Sequence, residues 1–219
     1  MATSSESSEW ALVGGAYLTE RIDDSKRIKF HLEYDYSSYD FTTAKISRNI
    51  AKIGAQYQFE KDDFEIKAGF VTASDNSKIP DIEESSENKF YIFPDVKAQY
   101  NFTKTQRVYA IFDGELQKNS YRSLSAINPF VDSILGLKNT IINARIKAGL
   151  KGLIFNDLNY HIYGSYSDVK DFYIFSNASL ISPNYFDVIY AGSSSGIAEI
   201  GLELDYAELE RVHIHAKGA

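Results

Sequence analysis

"RIKFHLEYDY", residues 27 to 36, alternates without a break. Ile28, Phe30, Leu32, Tyr34 and Tyr36 take every second position, and Arg27, Lys29, His31, Glu33 and Asp35 fill the rest. Successive side chains of a strand point to opposite faces, so this stretch reads as a strand with one apolar, aromatic face and one charged face. Two architectures use such a strand. In a soluble sheet the apolar face packs into a core and the charged face is wet. In a transmembrane barrel the apolar face meets lipid and the charged face lines a polar lumen. One strand does not separate these; the arrangement of all the strands does.

The same alternation recurs along the chain, in 52–60, 63–70, 95–102, 107–116, 141–151, 157–168, 199–207 and 211–217. It is blurred by Gly14 and Gly15 in 10–22. The count is about ten strands of about 9–13 residues, nearer the length that crosses a bilayer than the globular mean. No amphipathic helix is expected, beyond a turn of helix within 132–139. The links are expected to alternate short and long: short at 23–26, 61–63, 103–106, 154–157 and after Tyr206, long after Tyr36 to about residue 50, and over 71–90, 117–140 and 169–196. In an up-and-down meander that puts short turns at one end and long loops at the other, as in outer-membrane barrels. Aromatics cluster beside the short turns: Tyr57, Phe59, Phe64, Tyr100, Phe102, Phe155, Tyr160 and Tyr206. Such a row reads as an interfacial girdle. The expected fold class is all-β, an antiparallel up-and-down meander of about ten long strands, forming a transmembrane β-barrel or part of one.

Composition agrees. The 219 residues include 16 Tyr and 14 Phe, types that favour strands and apolar–wet boundaries. The net charge of −7 argues against a nucleic-acid partner, which would need a basic face. There is no Cys, so neither a disulfide framework nor a thiolate metal site is available. No apolar run approaches the ~18 residues of a transmembrane helix. "MATSSESSEW" lacks the basic and apolar regions of a secretory signal. Residues 1–8 are expected to be a disordered or added segment and 9–219 a single barrel domain.

The segment "NSYRSLSAINPFVDSILGLKNTIINARIKAGLKG" (119–152), with "SYSDVKDFYIFSN" (165–177) and "FDVIYAG" (186–192), resembles TonB-dependent-receptor-like outer-membrane proteins of the Bacteroidetes type. The resembling elements are Asn119 to Leu124, Asn128 to Phe130 and Gly149 to Gly152. The resemblance implies a bacterial outer-membrane location, a lipid environment, a small-molecule solute and an energy-transducing periplasmic partner. No plug domain is recognisable ahead of the strands. "HIHAKGA" lacks the terminal aromatic that closes such barrels. The expectation is a C-terminally truncated piece of a larger barrel.

Candidate lumen-lining residues are Arg27, Lys29, Glu33, Asp35, Arg145, Lys147, Glu203 and Asp205, whose mixed charges would tune passage or else pair with each other across strands. Tyr173, Phe175, Tyr185, Phe186 and Tyr190 concentrate in the longest loop as candidate extracellular ligand contacts, or as a hairpin prolonging the wall. His213 and His215 share a face but lack a third metal ligand, and the acidic loop with Asp75, Asp81, Glu83, Glu84 and Glu87 lacks EF-hand spacing. No cofactor, metal site or catalytic constellation is expected. The expected function is solute uptake or passage at the outer membrane, in a receptor-like barrel without its plug. Two alternatives stand beside it: a soluble β-barrel or β-sheet ligand-binding protein, and an outer-membrane enzyme.

Overall fold

The computed structural model describes residues 8–40, 45–78, 88–131, 136–154, 158–177, 186–208 and 212–218. Its strands in chain order are β1 (Ser8–Arg21), β2 (Lys26–Asp40), β3 (Lys45–Lys61), β4 (Phe64–Lys78), β5 (Lys89–Asn101) and β6 (Gln106–Gln117). A short helix α1 (Tyr121–Ile127) follows. Then come β7 (Thr140–Ile154), β8 (Leu158–Lys170), β9 (Phe172–Ser176), β10 (Asp187–Ala191), β11 (Ser195–Glu208) and β12 (Val212–Gly218). Ten strands form one sheet in the order β1-β2-β3-β4-β5-β6-β7-β8-β11-β12, and β9 and β10 make a separate hairpin. Every pairing in both sheets is antiparallel. The meander expected from the alternation is therefore the observed fold.

The register turns the alternation into two continuous faces. Phe30 lies opposite Leu18 of β1 and Ala55 of β3, and Ala55 lies opposite Phe70 of β4. These side chains and their successors along the sheet form the apolar face, and it is exposed: Phe30 46%, Leu32 48%, Phe70 50%, Ile146 59%. The opposite face, carrying Arg27, Lys29, His31, Glu33 and Asp35, is half-buried. Contacts made across the sheet give the curvature. Gln56 of β3 donates to Asp95 of β5 at 2.8 Å over the intervening β4. Lys118, just after β6, pairs with Asp35 of β2. Both contacts lie on the charged face, so the sheet curls with its charged side inward. A soluble core would require the reverse, with Phe30, Leu32 and Ile146 shielded from solvent.

Three local expectations are corrected. The long link after Tyr36 does not exist: β2 runs on to Asp40 and β3 restarts at Lys45, leaving four residues between them, so short and long links do not alternate throughout. Strands β4 and β5 likewise extend into the expected 71–90 loop, to Lys78 and from Lys89. A helix does occur, at Tyr121–Ile127 rather than within 132–139. Residues 132–135 lie outside the described residues, and 136–139 carry no regular structure. Seven residues are too few to show helical periodicity. What makes α1 is its start: Ser120 accepts from the Ser123 N–H at 3.0 Å, and the Ser123 hydroxyl lies 2.9 Å from the Ser120 N–H. This reciprocal pair is a capping box with Ser at the third helical position instead of Glu or Gln.

Short turns meet local rules. In the Asp62–Asp63 turn Asp62 adopts φ 51°, a left-handed conformation that Asp tolerates. Phe64 lies directly opposite Tyr100, and both are about half exposed, so the aromatic row beside the short turns is continuous across β4 and β5. Phe155 lies outside the described residues.

Candidate functional site: the concave polar face

The concave face is built from the odd-numbered positions of β2, β5 and β6 and their partners across the register. One row crosses four strands: Tyr109 opposite Gly149, Gly149 opposite Tyr163, Tyr163 opposite Gly201. Large and small alternate because the rings lie flat over the neighbouring backbone. A Cβ at Gly149 would come 2.7 Å from the Tyr109 hydroxyl oxygen, and one at Gly201 would come 2.2 Å from the Tyr163 ring. His31 lies over Gly54 in the same manner. These glycines serve close approach rather than a turn.

Polar groups on this face satisfy one another in a chain. Arg145 grips Asp113 with two hydrogen bonds, Nε to Oδ1 at 2.9 Å and Nη2 to Oδ2 at 2.8 Å, the fork geometry that makes such pairs strong. Tyr109 Oη and His161 Nε2 are 2.7 Å apart, and His161 Nδ1 and Glu203 are 3.0 Å apart. Tyr163 donates to Glu199 at 2.7 Å. Gln58 donates to Glu65 at 2.8 Å, and Tyr17 to Glu33 at 3.2 Å. Lys147 sits 3.7 Å above the Tyr163 ring and Lys151 sits 5.3 Å from the Tyr109 centroid, both cation–π arrangements.

At the long-loop end the face is covered. The segment after β6 folds back over it, held by Arg48 of β3, which is 3% exposed. Arg48 donates to the carbonyl oxygen of Asn119 and to Oδ1 of Asn139. Asn139 donates in turn to Asp75 at 2.6 Å. Burial pulls the Arg48 guanidinium below its ordinary pKa, against the opposing pull of Asp75 nearby. The N–H of Arg122 in the first turn of α1 donates to Glu9 of β1 at 2.8 Å, and Tyr121 stacks on Tyr39 of β2. Leu124, Val131 and Leu137 form a small core here, and Tyr173, Phe175 and Val188 of the hairpin pack against it.

The charged candidates of the sequence all lie on this one face, in two groups separated by β3 to β6. Arg27, Lys29, Glu33 and Asp35 stand on β2; Arg27 is 3.7 Å from Glu60. Arg145 and Lys147 on β7 and Glu203 and Asp205 on β11 stand on the other side, two strands apart. Of the loop aromatics, Tyr173 and Phe175 turn toward the small core, Tyr190 stands opposite Tyr173, and the Phe186 N–H donates to the Phe130 carbonyl at 2.9 Å. Phe172, Ile174 and Ile189, on the hairpin's other face, are the exposed ones. Tyr185 and the 79–87 segment with Asp81, Glu83, Glu84 and Glu87 lie outside the described residues, as do the side chains of His213 and His215.

Arg48, Asn119 and Asn139 were not legible as a group. They are 71 and 91 residues apart along the chain, and only the fold joins them. His161 was visible as an isolated polar-face residue; its partners come from strands on either side.

A curled, antiparallel meander with an apolar outside and a polar inside is the fold of part of an outer-membrane β-barrel wall. Solved structures of that kind match the chain closely in shape. The FrpB iron transporter from Neisseria meningitidis, in its apoprotein form, superposes with a TM-score of 0.67 at 10% identity, over 93% of this chain and 35% of that one. The copper transporter OprC gives 0.65 at 12% identity, over 97% and 37%. The siderophore receptor PirA from Pseudomonas aeruginosa gives 0.58 at 11% identity, over 97% and 41%. At such identities the likeness is one of fold. The chain spans a little over a third of the length of the receptors it matches. No family model and no curated protein matches its sequence.

Proposed function

We propose that this chain forms part of the wall of a bacterial outer-membrane receptor that takes up a small-molecule solute, resembling TonB-dependent receptors of the Bacteroidetes type. The observation that carries the reading is the inverted sheet. Large apolar side chains such as Phe30, Phe70 and Ile146 are exposed on its convex side, and charged ones are half-buried on its concave side. A lipid environment makes that arrangement favourable. Solute passes along the polar face, where Arg27, Lys29, Glu33, Asp35, Arg145, Lys147, Glu203 and Asp205 tune its charge preference. The hairpin end forms the outer contact region, presenting Phe172, Ile174 and Ile189, while Tyr173 and Phe175 brace it from the core side. An energy-transducing periplasmic partner drives uptake. The remaining strands of the barrel pair with β1 and β12, the two ends of the strand order.

The test is refolding with and without detergent micelles, followed by circular dichroism and heat-dependent gel mobility. β-structure and a compact, heat-shifted band are expected in micelles alone. A monomer that folds in plain buffer would overturn the reading and favour a soluble binding protein.

A further inference from the structure

The concave face is not evenly charged. Toward the short turns Lys67 of β4 lies directly opposite Lys97 of β5, and Arg107 of β6 directly opposite Lys151 of β7. Like charges facing each other across strands are destabilising. Two such pairs on one face, in a chain whose net charge is −7, call for a compensating anion. Of the carboxylates nearby, Glu65 compensates Lys67 at 2.7 Å and leaves Lys97 without an ion-pair partner, and the others are engaged elsewhere: Asp113 with Arg145, Glu199 with Tyr163, Glu203 with His161. Among the described residues no carboxylate lies within ion-pair distance of Lys97, Arg107, Lys147 or Lys151. These four side chains line a single recess of about 320 Å³. Gln99 and Tyr109 add hydrogen-bonding groups to its wall, which also includes the carboxylates of Asp113, held by Arg145, and Glu199, held by Tyr163.

We infer that this recess binds a small oxyanion, a phosphate- or carboxylate-bearing solute held between Lys97, Arg107, Lys147 and Lys151. The geometry suits it. Arg107 offers a planar fork for two oxygens, and the lysines supply point charges from two strands, β5 and β7. Lys147 and Lys151 are already steadied by the Tyr163 and Tyr109 rings, so less side-chain entropy is lost when an anion binds. The inference deepens the uptake reading, because the recess lies on the face that reading makes wet.

The probes are inorganic phosphate and citrate, added to the micelle-folded chain at constant ionic strength made up with chloride, with the thermal midpoint as readout. A ligand that binds only the folded state raises that midpoint with concentration. Phosphate, citrate or both are expected to raise it, and which one does identifies the oxyanion. Lys97→Gln and Arg107→Gln should each weaken the response about tenfold, the loss of one charge-assisted contact. Each should also raise the midpoint without anion, since a like-charge pair is gone. Lys61→Gln, at the exposed end of β3 and outside the recess, should respond as the unaltered chain does. A midpoint unmoved by either anion, or moved equally in Lys97→Gln and Arg107→Gln, overturns the site. If the chain folds only without micelles yet still answers to the anion, the uptake reading fails and the site stands.

Discussion

The two ends of the concave face are built on opposite plans. Toward the long loops its inward side chains are Ile50, Ala73, Phe93, Leu116 and Ile141, which close into a buried core. Toward the short turns they are Lys67 and, around an open recess, Lys97, Arg107, Lys147 and Lys151. The outward side inverts in step. In β3 it carries Phe59, Tyr57, Ala55 and Ile53, then changes to Asn49 and Ser47. The same strand is thus apolar-out along one length and apolar-in along the next. That is expected if the first length crosses lipid and the second stands in water, because the apolar face follows whichever side is dry. In β6 and β7 the change coincides with register shifts, between Asp113 and Glu115 and between Ile142 and Ala144. A bulge is the means by which a strand re-aims its side chains.

The sharpest way to break this comparison is to damage each end by its own rule. Leu116 is 1% exposed in the upper core. Leu116→Ala should cost about 2–5 kcal/mol, the range for a buried leucine truncated to alanine. Chemical denaturation of the micelle-folded chain measures it. Ile146 is 59% exposed on the outer belt, where a soluble surface would accept any polar residue. Ile146→Arg should nonetheless cost about 2–4 kcal/mol if that surface meets the bilayer interior. A neutral result there would place Ile146 in water and undo the two-zone account.

The inversion also explains how far the sequence could be read. The strands were legible wherever the outward side was the apolar one, as in 27–36 and 52–60. Residues 37–50 read as a loop because the pattern changes phase there: Ser37, Ser38, Arg48 and Asn49 break the alternation, although 37–40 and 45–50 are strand. Ser37, Ser38 and Arg48 are in fact buried. A period-2 rule detects a strand with one constant environment per face and loses it where environments exchange. The mixed-charge face was legible residue by residue, but its clustering was not. Lys97 and Lys67 are 30 positions apart in number and adjacent only through the register of β4 and β5.

Arg48 sharpens the comparison from the upper end. It is the buried cation that ties β3 to the returning segment, and its acceptors are a carbonyl and an amide oxygen. Arg48→Met keeps much of the bulk and removes the donors. Leaving buried acceptors unpaired should cost about 1–3 kcal/mol. The loss should be local. Hydrogen exchange of residues 119–124 and 136–140 should quicken, while the belt strands β4 and β5 keep their protection.

The smallest effect belongs to the other end, at the β1–β2 turn. Asp23 accepts from Lys26 Nζ at 2.9 Å and from the Ser25 N–H at 2.8 Å. These bonds, Lys26 first, hold its carboxyl below the ordinary carboxylate range. The folded turn therefore keeps Asp23 ionised at a pH where the unfolded chain has begun to take up the proton. Its stabilising contribution is complete above the ordinary Asp value and is lost as pH falls toward the lowered one. The group is fully exposed, so water and salt screen the contribution heavily. An NMR titration of the Asp23 carboxyl should show the lowered midpoint, and Lys26→Gln should move it back up. Asp23→Asn should loosen the turn in acid and neutral solution alike and erase its pH dependence. The unfolding midpoint of the whole sheet should barely move, because β1 and β2 stay paired from Arg21 opposite Arg27 to Ser8 opposite Asp40. An effect on global stability comparable to Leu116→Ala would mean that the short-turn end nucleates the fold, and that its polar, open appearance understates its share of the stability.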